Sequence, residues 1–217
     1  MSRRYPIPAE ETRTEIRVTN SRFIATAAPA FTVEEAQAFI KRIKAEFKDA
    51  SHNVPAYVIG YGPAVTAHCN DDGEPSGTAG RPMLAVLKGS GMGDIVAVVT
   101  RYFGGTKLGT GGLVRAYGDA VKAVLAILPR AEKVATHTVM MALPYNLYEQ
   151  VKLLIDVWYG QILDEAFAAD ITISSRFAIE HFSHFQDALR ELSHGKLKAE
   201  IIETDHDTIM PFKSSEG

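Results

Sequence analysis

Asp94-Ile95-Val96-Ala97-Val98-Val99-Thr100-Arg101-Tyr102-Phe103-Gly104-Gly105-Thr106-Lys107-Leu108-Gly109-Thr110-Gly111-Gly112-Leu113-Val114-Arg115 is the stretch on which the fold turns. Its apolar run, Ile95 to Val99, is rich in β-branched residues and predicts a strand buried on both faces. After the glycines, Leu113, Tyr117, Val121, Val124, Leu125 and Leu128 recur at helical spacing until Pro129 closes the series. The cluster between them, Gly104, Gly105, Gly109, Gly111 and Gly112, lets backbone N–H groups point into one concavity, because glycine admits positive φ and brings no side chain. The following helix leaves its first N–H groups unpaired and presents the positive end of its dipole at the same place. An anion suits this arrangement, phosphate above all. Arg101, Lys107 and Arg115 would add charge, and Thr106 and Thr110 hydroxyl donors. The spacing is neither that of the P-loop nor the dinucleotide fingerprint, so it implies no particular nucleotide. The plainer reading is that these glycines only permit a tight strand-to-helix crossover.

Upstream, the polar stretch Met1 to Arg13, with Pro6 and Pro8, reads as a tail along a sheet edge. Thr14 to Val18 and Phe23 to Ala28 read as a hairpin around Thr19-Asn20-Ser21. Thr32 and Glu35 have capping-box spacing ahead of a helical stripe of Ala36, Phe39, Ile40, Ile43 and Phe47. Asn53 to Gly60 is a second buried strand, and Pro82 to Lys88 a short helix with proline in its first turn. Downstream the pattern restarts near Ala135. Val139 to Leu143, the stripe Leu147, Val151, Leu154 and Ile155, the hairpin of 161–167 with 171–178, the stripe Phe182, Phe185, Leu189 and Leu192, and Leu197 to Ile202 read as βαββαβ. The fold class expected is therefore α+β, with residues 1–131 forming one domain, 132–217 a ferredoxin-like second one, and Asp205 to Gly217 a frayed tail.

Between the first two buried strands lies a second loop, Asp71-Asp72-Gly73-Glu74-Pro75-Ser76-Gly77-Thr78-Ala79-Gly80. Asp71, Asp72 and Glu74, flanked by Ser76 and Thr78, could hold a hard cation or pair with the arginines of the glycine loop. The EF-hand register is absent, and a turn whose carboxylates cap backbone N–H groups explains the same residues. His52, His68 and Cys69 match no zinc spacing, and no metal site is expected. Tyr102 and Phe103 are either base-stacking groups beside the basic loop or core.

With 217 residues, 46% of them hydrophobic, the chain is too apolar to stay disordered and long enough for two modest cores. The single cysteine excludes an internal disulfide, and no run reaches the length of a membrane span, so a cytoplasmic protein is expected. The net charge of −3 hides an asymmetry: residues 1–134 carry 17 Lys and Arg against 13 Asp and Glu, and 135–217 carry 6 against 13. That split fits an N-terminal half that meets something anionic.

In three stretches, Asp71 to Gly80, Val98 to Gly105 and Leu108 to Leu113, the sequence resembles the IMPACT/YigZ family, with Ser21-Arg22-Phe23-Ile24 extending the match. The resemblance implies an N-terminal domain with the ribosomal-protein-S5 domain-2-like fold and a C-terminal one like the last domain of a translation elongation factor. It points toward RNA or the ribosome, and toward a protein partner in translation control, although this chain lacks the extra N-terminal interaction domain of eukaryotic members. The family carries no settled reaction. The expected function is accordingly a binding or regulatory protein linked to translation, without cofactor. The alternative is an enzyme of nucleotides or phosphorylated metabolites, with Asp71, Asp72 or Glu74 holding Mg²⁺ or acting as base.

Overall fold

The computed structural model describes residues 4–211. They form two compact units, Tyr5–Glu132 and the stretch from Lys133 onward, with Arg4 grouped with the second.

The first unit runs β1 (Tyr5–Pro8), β2 (Thr12–Val18), β3 (Ser21–Pro29), α1 (Val33–Glu46), β4 (His52–Ile59), β5 (Thr66–Cys69), α2 (Gly80–Gly89), β6 (Ile95–Tyr102) and α3 (Gly109–Ile127). Strands β2-β3-β6-β4-β5 make one antiparallel sheet, with β6 at its centre. The uninterrupted apolar run of β6 follows from cover on both sides. Ile95, Ala97 and Val99 join Phe23, Val54 and Ala56 beneath Met83, Leu87, Tyr117 and Val121 of α2 and α3. Val96 faces the other way, with Tyr57 and Ala28, against Ala36 of α1. The start of α1 is a capping box shifted by one residue. The Thr32 hydroxyl accepts from the Glu35 N–H at 3.1 Å, while the Glu35 carboxylate accepts from the N–H of Phe31 at 2.7 Å.

The second unit contains β7 (Arg130–Leu143) from Lys133 onward, a 3-10 turn at Tyr145–Leu147, α4 (Tyr148–Val157), β8 (Gln161–Phe167), β9 (Ile171–Ala178), α5 (Ile179–Leu192) and β10 (Glu200–Pro211). Among these strands β7 pairs with both β9 and β10, and β9 with β8, which gives β10-β7-β9-β8, and β1 is the fifth strand of the sheet, beside β7. The order β10-β7-β9-β8 is the split-βαβ order of a ferredoxin-like domain. One sheet face buries Val139, Met141, Ile173 and Phe177 against Val151, Ile155, Phe185 and Leu189 of the two helices. The architecture is α+β.

Four expectations need correction. The N-terminal stretch does lie at a sheet edge, but as the strand β1 rather than a tail: Ile7 is fully buried, the Gly93 N–H donates to Pro6 O at 3.0 Å, and the Tyr5 hydroxyl donates to Asp94 Oδ2 at 2.5 Å. β5 went unread because its four residues alternate without a long apolar run. β7 begins at Arg130, where the charged residues look like a linker. Residues 205–211 lie in β10 rather than a tail, while 212–217 fall outside the described residues.

Candidate anion-binding site

The two motif loops meet, and they meet through a buried charge pair. Glu74 and Arg101 have side chains only 3% and 6% exposed, with Arg101 Nη1 2.7 Å from Glu74 Oε1. The same oxygen accepts from the Tyr117 hydroxyl at 2.8 Å, so β6, α3 and the acidic loop are joined at one atom. Burial, then the bond to Glu74, push the Tyr117 phenol far above its ordinary range. The Arg101 guanidinium also lies 5.4 Å from the Phe23 ring centroid and 5.5 Å from that of Phe103. Arg101 is thus removed from the set of surface cations that the sequence proposes for an anion. An arginine at the end of a central strand has no water to face, and a carboxylate from the neighbouring loop neutralises it instead.

The rest of the acidic loop is equally committed. The Asp71 carboxylate accepts from the N–H groups of Gly77 at 2.8 Å, Ala79 at 3.1 Å and Gly80 at 2.8 Å, and so caps α2 from outside the helix. Burial raises the Asp71 pKa, but these three bonds together outweigh it and hold the group below its ordinary value. Asp72 pairs with Lys44 of α1 and accepts from the Asn53 N–H at 2.6 Å. The Thr78 hydroxyl donates to Pro75 O at 2.7 Å, and Ser76 is exposed. His52 donates from Nδ1 to the Asp72 carbonyl at 2.8 Å, with Nε2 3.8 Å from Glu74. Among the described residues no group of three or more His, Cys, Asp or Glu could hold a metal ion. Burial and then Asp71 push the Cys69 thiol up, away from the thiolate that nucleophilic chemistry needs.

The glycine loop divides in two. Gly104 belongs to the framework: a Cβ there would lie 2.0 Å from the backbone carbonyl of Asn20, and its N–H donates to the Ser21 hydroxyl at 3.2 Å. Beyond it Gly105, Thr106, Lys107, Gly109, Thr110, Gly111 and Arg115 are exposed, and Gly112 is half-buried. α3 starts at Gly109, four residues before the first apolar position of its stripe, and no side chain caps it. Its first N–H groups therefore open from the glycine-rich segment itself. Arg13, Arg22 and Arg42 are bound to Glu46, Glu15 and Glu11, whereas Lys107 and Arg115 have no ion-pair partner among the described residues. Phe103 is 49% exposed, so it is not core, while the half-buried Tyr102 donates to Asp49 at 2.9 Å.

The sequence proposes Arg101, Tyr117 and Glu74 separately, as cation, helix stripe and acidic loop; their convergence had no signal in the spacing. Ser21, which also accepts from the Gly104 N–H, was missed altogether as a tie between the hairpin and the loop.

A five-stranded antiparallel sheet with helices on both faces, carrying an open glycine-rich helix start and followed by a ferredoxin-like unit, defines a two-unit α+β protein. The comparisons narrow that class. The Impact N-terminal domain model matches residues 19–125. The chain is 37% identical over 198 residues to the IMPACT family member YigZ of Escherichia coli K12, covering 91% of this chain and 97% of that protein. It is 36% identical to an IMPACT family member of Haemophilus influenzae, over 92% and 97% of the two chains. The Bacillus subtilis IMPACT family member YvyE is 39% identical over 84% of this chain and 83% of its own length. A solved crystal structure of a hypothetical protein, 36% identical, superposes with a TM-score of 0.61 and covers 94% of this chain and 99% of that one. The chain belongs to the IMPACT family. No described helix is long and apolar enough to cross a membrane.

Proposed function

We propose that this protein is a regulatory binding protein that engages RNA phosphates, free or on the ribosome, in the control of translation. The working surface is the segment from Phe103 to Arg115. The observation that carries this reading is the exposed, side-chain-uncapped start of α3, with Lys107 and Arg115 unpaired beside it among the described residues. Unsatisfied N–H groups and the helix dipole favour phosphate there, and the two cations extend the field along the backbone. Phe103, backed on one side by the Arg101 guanidinium, offers a base a stacking surface. The enzymatic alternative fares less well on this geometry, because Asp71, Asp72 and Glu74 are each already bound to backbone N–H groups or cations.

The test is a fluorescence-anisotropy titration of labelled RNA of mixed sequence across a salt series. Each phosphate contact adds about 0.7 to 0.9 to the slope of log K against log salt, so Lys107→Ala and Arg115→Ala are each expected to lower that slope by roughly one. Both variants should weaken unrelated sequences alike. No measurable binding even at low salt, or slopes unchanged in both variants, would overturn the reading.

A further inference from the structure

On the other face of the N-terminal sheet, where α1 packs on β4 and β6, a groove of about 450 Å³ runs between α1, β4 and β5. Its helical wall is Gln37, Ile40, Lys41 and Lys44, which fall at i, i+3, i+4 and i+7 and therefore share one side of α1. Its floor is Pro55 and Tyr57 of β4, and its far rim is His68 of β5, which sits directly opposite Tyr57 in the strand register. The two rings lie 5.5 Å apart and tilted by 33°, so together they make an aromatic shelf. Tyr57 is only 5% exposed and Pro55 is buried, so they form a fixed floor, and the half-buried Ile40 and the exposed His68 supply accessible surface above it.

Among the described residues, the one charged side chain lining this groove without a partner is the cation Lys41. Lys44 is anchored by Asp72, and the side chains of Lys41, Gln37 and His68 make no hydrogen bond or ion pair among the described residues. Among the described residues no carboxylate lines the groove. An apolar floor with a few convergent donors at one rim is the usual make-up of a small-molecule site, and the volume is within the range of such sites. The charge complementarity runs one way: the occupant must bring a negative group for Lys41 and a flat apolar body for Ile40, Pro55 and Tyr57.

We infer that this groove is a second binding site, distinct from the glycine loop, for a small aromatic anion. The ring lies against Ile40 and His68 over the floor of Pro55 and Tyr57, and the anionic group meets the ammonium of Lys41, with Gln37 as a further donor.

The experiment uses the full chain, isotope-labelled, titrated with 2-naphthoate as probe and with neutral 2-naphthamide as control, followed by backbone amide chemical shifts. Saturable shifts are expected at residues 37–44 of α1, around Tyr57 and around His68. A charge-assisted hydrogen bond makes the carboxylate bind about tenfold more tightly than the amide. Lys41→Glu, at an exposed helix position, is expected to remove that preference while leaving the rest of the spectrum in place, and His68→Asp to weaken binding independently. No saturable shift at millimolar probe, equal binding of the amide, or binding of naphthoate unaffected by Lys41→Glu would each overturn the assignment.

Discussion

Glu74→Ala is the most informative single change, because it leaves the Arg101 guanidinium buried without a counter-charge. Removing one partner of a buried ion pair costs about 3–5 kcal/mol. The Tyr117 hydroxyl loses its acceptor at the same moment, at roughly 1–3 kcal/mol, but both losses fall on one oxygen atom and do not add. About 4 kcal/mol is therefore expected, a large part of the roughly 5–15 kcal/mol that stabilises a domain. In urea, with a slope of about 2 kcal/mol per molar, the midpoint of the N-terminal unit falls by about 2 M. Far-UV circular dichroism follows the whole chain, while the single tryptophan, Trp158, lies in the C-terminal unit and reports on that unit alone. The paired change Glu74→Met with Arg101→Met should recover part of the loss, since an apolar pair of similar size removes the unpaired charge while the Tyr117 hydroxyl stays without its acceptor. The Phe23 and Phe103 rings can receive the thioether in place of the guanidinium. A Glu74→Ala midpoint within about 0.5 M of the parent, or a double variant no more stable than the single one, would refute the claim that a buried charge pair holds these loops together.

Other predictions follow the same geometry. Tyr117 has its pKa raised in the fold, so its contribution is fully present below about pH 10 and is lost as the pH climbs above it, at about 1.4 kcal/mol per unit; Tyr117→Phe should flatten stability measured between neutral and strongly alkaline pH. Asp71 has its pKa depressed, so its contribution is present above about pH 4 and lost as the pH falls below; Asp71→Asn should cost about 1–2 kcal/mol at neutral pH and show less acid sensitivity in urea titrations between pH 3 and 7. Gly111→Ala meets nothing within 4 Å and replaces glycine in an exposed helical turn, so it should raise stability by up to about 1 kcal/mol in thermal unfolding while weakening RNA binding in the same preparation.

Most of the fold was legible because periodicity survives wherever one face is buried. The capping pair Thr32 and Glu35, the apolar run of β6 and the stripe of α3 each belong to an element buried on a constant side, and each is found where the spacing predicts it. The failures share a cause. β10 is a long strand with exposed, charged residues, and β7 opens on the exposed Arg130, the buried Glu132 and the half-buried Lys133, so at Arg130 and at Asp205 the charge pattern looks like a linker or a tail. At the site, residue types were readable but side-chain direction was not. Arg101 and Lys107 are equally basic in sequence, yet one lies at the end of a central strand, where only a carboxylate can satisfy it, and the other on the exposed loop that follows.

That difference separates two roles within one motif. Gly104 is explained by the fold, since any side chain there would strike the backbone of Asn20, and Arg101 and Glu74 are explained by each other. Gly111 has no such explanation: its surroundings are empty, and its helical turn would be firmer with alanine. A residue that weakens its own helix while nothing in the fold requires it is accounted for if something from outside must come close to the backbone. On the proposed reading, Lys107 and Arg115, exposed and without carboxylates among the described residues, would set the sign of that visitor's charge. The framework half of the motif thus sets the position of the open half, and substitutions in the first should lower stability and binding together, whereas those in the second should move binding alone or move the two in opposite directions.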